Sequence, residues 1–183
     1  MPRLSHIDAS GKVRMVDVSG KPKTLREAVA RGRVSMAAGT LRRLRSGSTP
    51  KGNVLAAAHL AAVMAAKRAG EWIPLAHPIP VEAVEVAFSI VSTPAAVDIE
   101  TRVRTTGRTG VEMEALTAVA AAALTLVDML KAVDRTMVIG DIALWEKRGG
   151  RSGEWLRQAA APRPRPAAKT TKQRARRAPP RAR

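Results

Sequence analysis

The chain has 183 residues, 45% of them hydrophobic, and carries 32 Lys/Arg against 15 Asp/Glu for a formal net charge of +17. That length fits one domain with a real hydrophobic core, and the absence of cysteine excludes disulfides and thiolate metal sites and fits a reducing compartment. No charged-then-apolar N-terminal segment resembles a signal peptide, and the Ala-rich runs at 55–66 and 115–130 are too short, interrupted or flanked by charge to span a bilayer, so a soluble cytoplasmic protein is expected.

The charge is unevenly placed. Pro162–Arg183 holds nine of the 32 basic residues and none of the 15 acids, which leaves 23 basic against 15 acidic residues, or +8, for the rest. This Pro-, Ala- and Arg-rich tail has almost nothing to bury and reads as disordered, from about residue 157 onward. The remaining +8 suits an anionic ligand.

Residues 1–12 read as irregular, with His6 and Asp8 in a turn. Val13–Val18 reads as a short extended segment. Thr24–Arg31 suggests a short helix opened by a Thr24/Glu27 capping box, followed by a strand at Arg33–Met36 and a basic turn of helix at Gly39–Arg45. Ser46–Pro50 is a loop. Asn53 is the expected N-cap of an Ala-rich helix, Asn53–Ala69, ended by Gly70. Lys51 and Gly52 precede that helix and could hold an anion at its N-terminus, although a solvated lysine is the commoner outcome. Trp72–Pro80 places three prolines around His77 and fixes the backbone there.

Val81–Val91 alternates, with Val84, Val86, Phe88 and Ile90 on one face. Val97–Thr105 alternates more clearly, with Val97, Ile99 and Val103 inward and Asp98, Glu100, Arg102 and Arg104 outward. Thr109–Val133 reads as one long helix, with a Thr109/Glu112 capping box and a body apolar nearly all the way round, the pattern of a central helix. Thr136–Glu146 reads as a last strand with Gly140 at a bulge, and Gly149, Gly150 and Gly153 as a flexible exit. From Arg33 the order is βαββαβ. That order predicts an α+β, ferredoxin-like antiparallel sheet with both helices on one face. Helices this apolar predict an oligomer.

Charges on a buried helix are costly unless paired or put to use. Asp128 and Lys131 share one helix face at a spacing of three, which suits either a structural ion pair or an acid–base pair in a partly desolvated site. Glu112 is explained by capping and the helix dipole. Glu114 lies within about 40° of Asp128 around the helix but ~21 Å away along it, so a shared ligand is long or the two groups serve different sites. His77 suits a functional role or a structural hydrogen bond. The histidine spacing shows no zinc pattern, and no Walker A, GxGxxG or GxSxG sequence is present. The methionines, Met113 among them, read as packing.

The sequences KGN, LAHP, RTTGRTGVEMEALTAVAAAALTLVDMLKAV and MVIG, with the opening SHIDASGKVRMVDVSGK, resemble the cyclic pyranopterin monophosphate synthase family of molybdenum cofactor biosynthesis. The resemblance runs from about Leu4 to Trp155 and assigns residues 1–156 to the synthase domain and 157–183 to the tail. It implies a ferredoxin-like subunit, a homohexamer built as a trimer of dimers, and an active site at a subunit interface. The implied substrate is 3′,8-cyclo-7,8-dihydroguanosine 5′-triphosphate, supplied by an upstream radical enzyme. The implied products are cyclic pyranopterin monophosphate and pyrophosphate.

By position, the resemblance makes Asp128 the catalytic carboxylate and Lys131 its acid–base partner. It places Leu75, Ala76, His77, Met113 and Glu114 against substrate, Glu112 in the same pocket, and Lys51 on phosphate from another subunit. No cofactor is required; magnesium on the triphosphate is chemically reasonable, without a dedicated carboxylate cage. The family often has cysteine at Ala76 and aspartate at Asn53. The alternative from another class is a basic nucleic-acid-binding protein acting through its tail. Against it stand the absence of Tyr, a single Phe and three Trp, too few for base stacking.

Overall fold

The computed structural model describes residues 7, 10–49 and 51–158. The readings of His6 and Asp8 as a turn and of the tail beyond residue 158 as disordered therefore lie outside the described residues, whereas Arg157, assigned to the tail, donates its N–H to the Trp145 carbonyl at 2.8 Å. The first regular element is a strand, β1 (Thr24–Ser35), where a short helix was expected over Thr24–Arg31. Ala28, Val29 and Ala30 are all fully buried, so the strand is covered on both faces and the period-2 signal is absent from its sequence. Glu27 meets Arg102 of a neighbouring strand at 2.7 Å rather than capping a helix.

Helices α1 (Ala38–Ser46), α2 (Val54–Lys67) and α3 (Ala69–Trp72) follow. Asn53 caps α2 as expected, its side chain accepting the Ala56 N–H at 3.0 Å. Gly70 does not end the helix but sits within α3, where an added Cβ would lie 3.4 Å from Pro78 Cα; the missing side chain lets the proline-rich segment pack close. Strands β2 (Ala83–Ser92) and β3 (Ala95–Gly107) form the expected hairpin. The long helix α4 spans Glu112–Leu130, β4 Val138–Arg148, and β5 is the two-residue Trp155–Leu156.

The five strands run in the order β2-β3-β1-β4-β5, every adjacent pair antiparallel. The pairing of β1 with β4 shifts register between Arg31 and Arg33, opposite Gly140 and Ala143, which is the expected bulge; Asp141 there has φ 54°. Val97, Ile99, Thr101 and Val103 turn one face of β3 into the core, and Thr101 donates to the Ala115 carbonyl of α4 at 2.8 Å. Helix α4 lies over β1, β3 and β4, with α2 beside it and against β2. Its approach to β1 is close: a Cβ on Gly32 would stand 2.5 Å from Val119 Cγ1. The outward side chains of β3 are paired, Arg33 with Asp98 at 2.5 Å and Arg31 with Glu100 at 2.6 Å.

At 19 residues α4 is long and apolar enough by itself to cross a bilayer, contrary to the sequence reading of that run as too short. Its position decides the matter: Ala115, Ala118, Val119, Ala122, Ala123 and Leu126 are fully buried against the sheet and α2. It is the central helix of this core.

Candidate active site

Two groups of polar side chains sit at opposite ends of α4. At its N-terminus a cleft of about 300 Å³ is lined by Leu75, Ala76, His77, Glu112, Met113 and Glu114. These are the six residues assigned to one pocket from the sequence, drawn from the proline-rich segment and the first turn of α4. Val16, Val18, Lys21, Thr109 and Gly110 complete the lining. The sequence reading singled out none of these five as site residues. Val16, Val18 and Lys21 lie in irregular backbone, so periodicity says nothing of their place in the site; Lys21, in the VDVSGK of the opening, was the one available pointer.

The expected capping box does not form. Val111 is the N-cap, with φ −114° and no capping side chain, and the Glu112 carboxylate instead leans over Gly110, where any Cβ would collide with it. Glu112 also stands 3.5 Å from Lys147 of β4. Glu114, in the same lining, is 3% exposed. Burial pushes its carboxyl up to about 7, with the Glu112 charge adding to the effect. A carboxyl that titrates near neutrality can give or take a proton at physiological pH.

His77 Nε2 lies 2.7 Å from the Val16 carbonyl oxygen. A carbonyl only accepts, so Nε2 carries the proton, and in the neutral ring Nδ1 is the acceptor. The histidine thus fixes the strap at Val16 as well as lining the cleft. Thr105 donates to the Pro80 carbonyl at 2.5 Å and holds the far end of the His77 segment.

At the other end of α4, Asp128 accepts from two lysines. Lys131 Nζ stands 2.6 Å from Oδ1 and Lys51 Nζ 3.0 Å from Oδ2, and Lys51 also donates to the Asp128 carbonyl at 3.0 Å. The hydrogen bond from Lys131, then that from Lys51, hold the Asp128 carboxyl below the usual carboxylate range. The pair is not desolvated within one chain: the side chains of Lys131 and Asp128 are 60% and 56% exposed. Lys51 was expected to meet phosphate from another subunit; here its ammonium meets Asp128 of its own chain.

The structure thus gathers six of the nine expected residues in one cleft and the other three, Lys51, Asp128 and Lys131, in a second cluster. The spacing from Glu114 to Asp128 along α4 separates the clusters by ~21 Å. Among the described residues no group of three or more His, Asp or Glu side chains is placed to hold a metal ion.

Comparison with known proteins gives the family. Residues 15–150 match the MoaC family. The chain is 56% identical over 158 residues to the cyclic pyranopterin monophosphate synthase of Heliobacterium modesticaldum, an alignment covering 86% of this chain and 99% of that one. It is 58% identical over 158 residues to the synthase of the same name from Thermomicrobium roseum, covering 86% and 95%, and 56% identical over 159 residues to that of Chloroflexus aggregans, covering 87% and 96%. With that match across its described core and relatives aligned over nearly their whole lengths, the chain belongs to the MoaC family.

Proposed function

We propose that this chain converts 3′,8-cyclo-7,8-dihydroguanosine 5′-triphosphate to cyclic pyranopterin monophosphate and pyrophosphate, as a synthase of molybdenum cofactor biosynthesis. The observation that carries this reading is more than half identity, along almost their whole lengths, to enzymes of that name. The geometry suits the chemistry. Opening the guanine ring and closing the pterin moves protons on and off nitrogen and oxygen, and Glu114, held near 7, serves that traffic beside His77. The ribose hydroxyl that displaces pyrophosphate from the α-phosphorus needs a base, and the leaving group needs cations. Asp128 and Lys131 supply the acid–base pair. Lys51 passes from Asp128 to the arriving phosphate, which frees a carboxylate oxygen.

A cleft of about 300 Å³ lies at the small end of ligand pockets, so a nucleoside triphosphate extends beyond it. With the second cluster ~21 Å away, the complete site is assigned to a subunit interface, the cleft from one protomer and the Asp128 cluster from another. The exposed apolar side chains Leu60, Met64, Trp72 and Leu124 on the helical layer support a homo-oligomer. The family resemblance makes it a hexamer, a trimer of dimers. The strand order and the one-sided helical layer support a ferredoxin-like class, to which α1 and β5 are additions. Cytoplasmic location, supply by an upstream radical enzyme and entry of magnesium with the triphosphate belong to the same reading. Binding of nucleic acid through the tail finds no support in the relatives.

Pyrophosphate release and pterin formation from the cyclic dihydro-GTP test the proposal. The intact chain is expected to form both and Lys131→Ala neither. An inactive intact chain would overturn the synthase reading, and an active Lys131→Ala would return the pair to a structural role.

A further inference from the structure

Asp134 lies three residues beyond Lys131 and is 6% exposed, although it is a carboxylate in a turn. Its two oxygens take four hydrogen bonds. Oδ2 accepts the Ala37 N–H at 2.8 Å and the Thr40 hydroxyl at 2.9 Å. Oδ1 accepts the Thr136 N–H at 2.9 Å and its hydroxyl at 2.7 Å. Ala37 is the N-cap of α1, and its own N–H, which a carboxylate at N3 accepts in a capping box, goes instead to Asp134, because N3 here is Thr40.

One carboxylate therefore fastens two segments, and each leads to the charged cluster. Lys131 is the C-cap of α4, at the mouth of the turn that Asp134 closes. Lys51 follows the last residue of α1, Ser46, through a short loop in which Thr49 donates to the Gly52 carbonyl. Helix ends fray, and this turn is tied by the Val133 and Asp134 N–H groups to the Leu130 carbonyl and by the buried Asp134 side chain. An exposed lysine on a four-carbon stem keeps one geometry only if its backbone is held.

We propose that Asp134 is a positioning residue for the reaction, holding the Lys131 turn and the α1–Lys51 segment in the register that brings both ammonium groups onto Asp128. It touches no reacting atom and acts through Lys131 and Lys51. The proposal rests on the assignment of Asp128 and Lys131 to the chemistry.

The test is Asp134→Asn in the full-length protein, with Lys131→Ala alongside. Asparagine keeps the shape but presents an NH₂ where the carboxylate accepts, so at least one pair of donors faces a donor. At a temperature where circular dichroism shows the variant fully folded, kcat is expected to fall roughly tenfold or more, the cost of misplacing a reacting group. KM should rise by a smaller factor than kcat falls, because the cleft at the far end of α4 still binds the base while Lys51 loses its place on the phosphate. Thr40→Val removes one of the four bonds and should lower kcat in the same direction by a smaller factor.

Lys131→Ala inactive with kcat unchanged in folded Asp134→Asn would overturn the proposal and leave the site assignment standing. A loss that vanishes on correcting for native fraction would overturn it too, as would an unchanged Thr40→Val if Asp134→Asn does not fold. Lys131→Ala fully active would overturn the site assignment and the proposal together.

Discussion

Glu114 and Asp128 are carboxylates of one helix driven in opposite directions. Burial raises Glu114 from an ordinary 4.5 to about 7, while two lysines lower Asp128. For Glu114 the folded state keeps a proton that the unfolded chain releases. Its contribution to stability is therefore complete below 4.5 and lost as pH rises through about 7. The loss amounts to about 3 kcal/mol over that window. Glu114→Gln should remove it, so denaturant unfolding of wild type and variant should converge near pH 4.5 and diverge by pH 8, the variant being the more stable at pH 8. Equal pH dependence in both would contradict the buried carboxyl. Asp128 and Lys131 are more than half exposed, and exposed pairs contribute little to stability. Asp128→Asn should keep a melting temperature close to wild type while losing turnover by roughly a hundredfold or more, as kcat measured on the folded variant will show.

Period-2 alternation located β2 and β3, because each turns one face inward, while α4 was found from a body apolar nearly all the way round. It misread β1, which pairs on both edges and buries consecutive residues, leaving a Thr24/Glu27 spacing that resembles a helix start. The capping box at Thr109 failed for a different reason: the helix begins at Glu112, whose carboxylate is drawn to Lys147, a strand 35 residues away. No local pattern could announce that partner. The same limit hid Asp134, whose contacts reach back 97 and 94 residues. The cleft was legible through TGVEMEAL and LAHP, and its strap at Val16–Lys21 was not, because irregular backbone carries no period. Close packing of α4 on β1 yields its own expectation. Gly32→Ala places a methyl against Val119 and Ile142, and overpacking of this kind should cost about 1–3 kcal/mol, read as a lower denaturation midpoint. A midpoint equal to wild type would mean that the helix and sheet are looser than described.

One protomer holds both polar clusters but holds them apart. The cleft and the Asp128 cluster lie ~21 Å from each other along a helix too rigid to bend them together. Leu60, Met64 and Leu124 stand exposed on the helical layer between those ends. Leu124→Asp should break the proposed oligomer, read by light scattering, and abolish turnover while each protomer remains folded. Deleting residues 162–183 removes nine positive charges and none of the site, so turnover should be unchanged. A salt-dependent affinity for nucleic acid that collapses on the deletion would instead give the tail a role of its own.

Subunit complementation tests the shared site most directly. His77→Ala disables the cleft and Lys131→Ala the acid–base cluster, and each alone should be inactive. Unfolding the two together and refolding them as mixed oligomers pairs an intact cleft with an intact cluster at about a quarter of interfaces, if each site draws on two subunits. Recovery of pyrophosphate release to roughly that fraction is the expected result. Mixed oligomers that stay inactive would place the whole site within one chain and contradict the account.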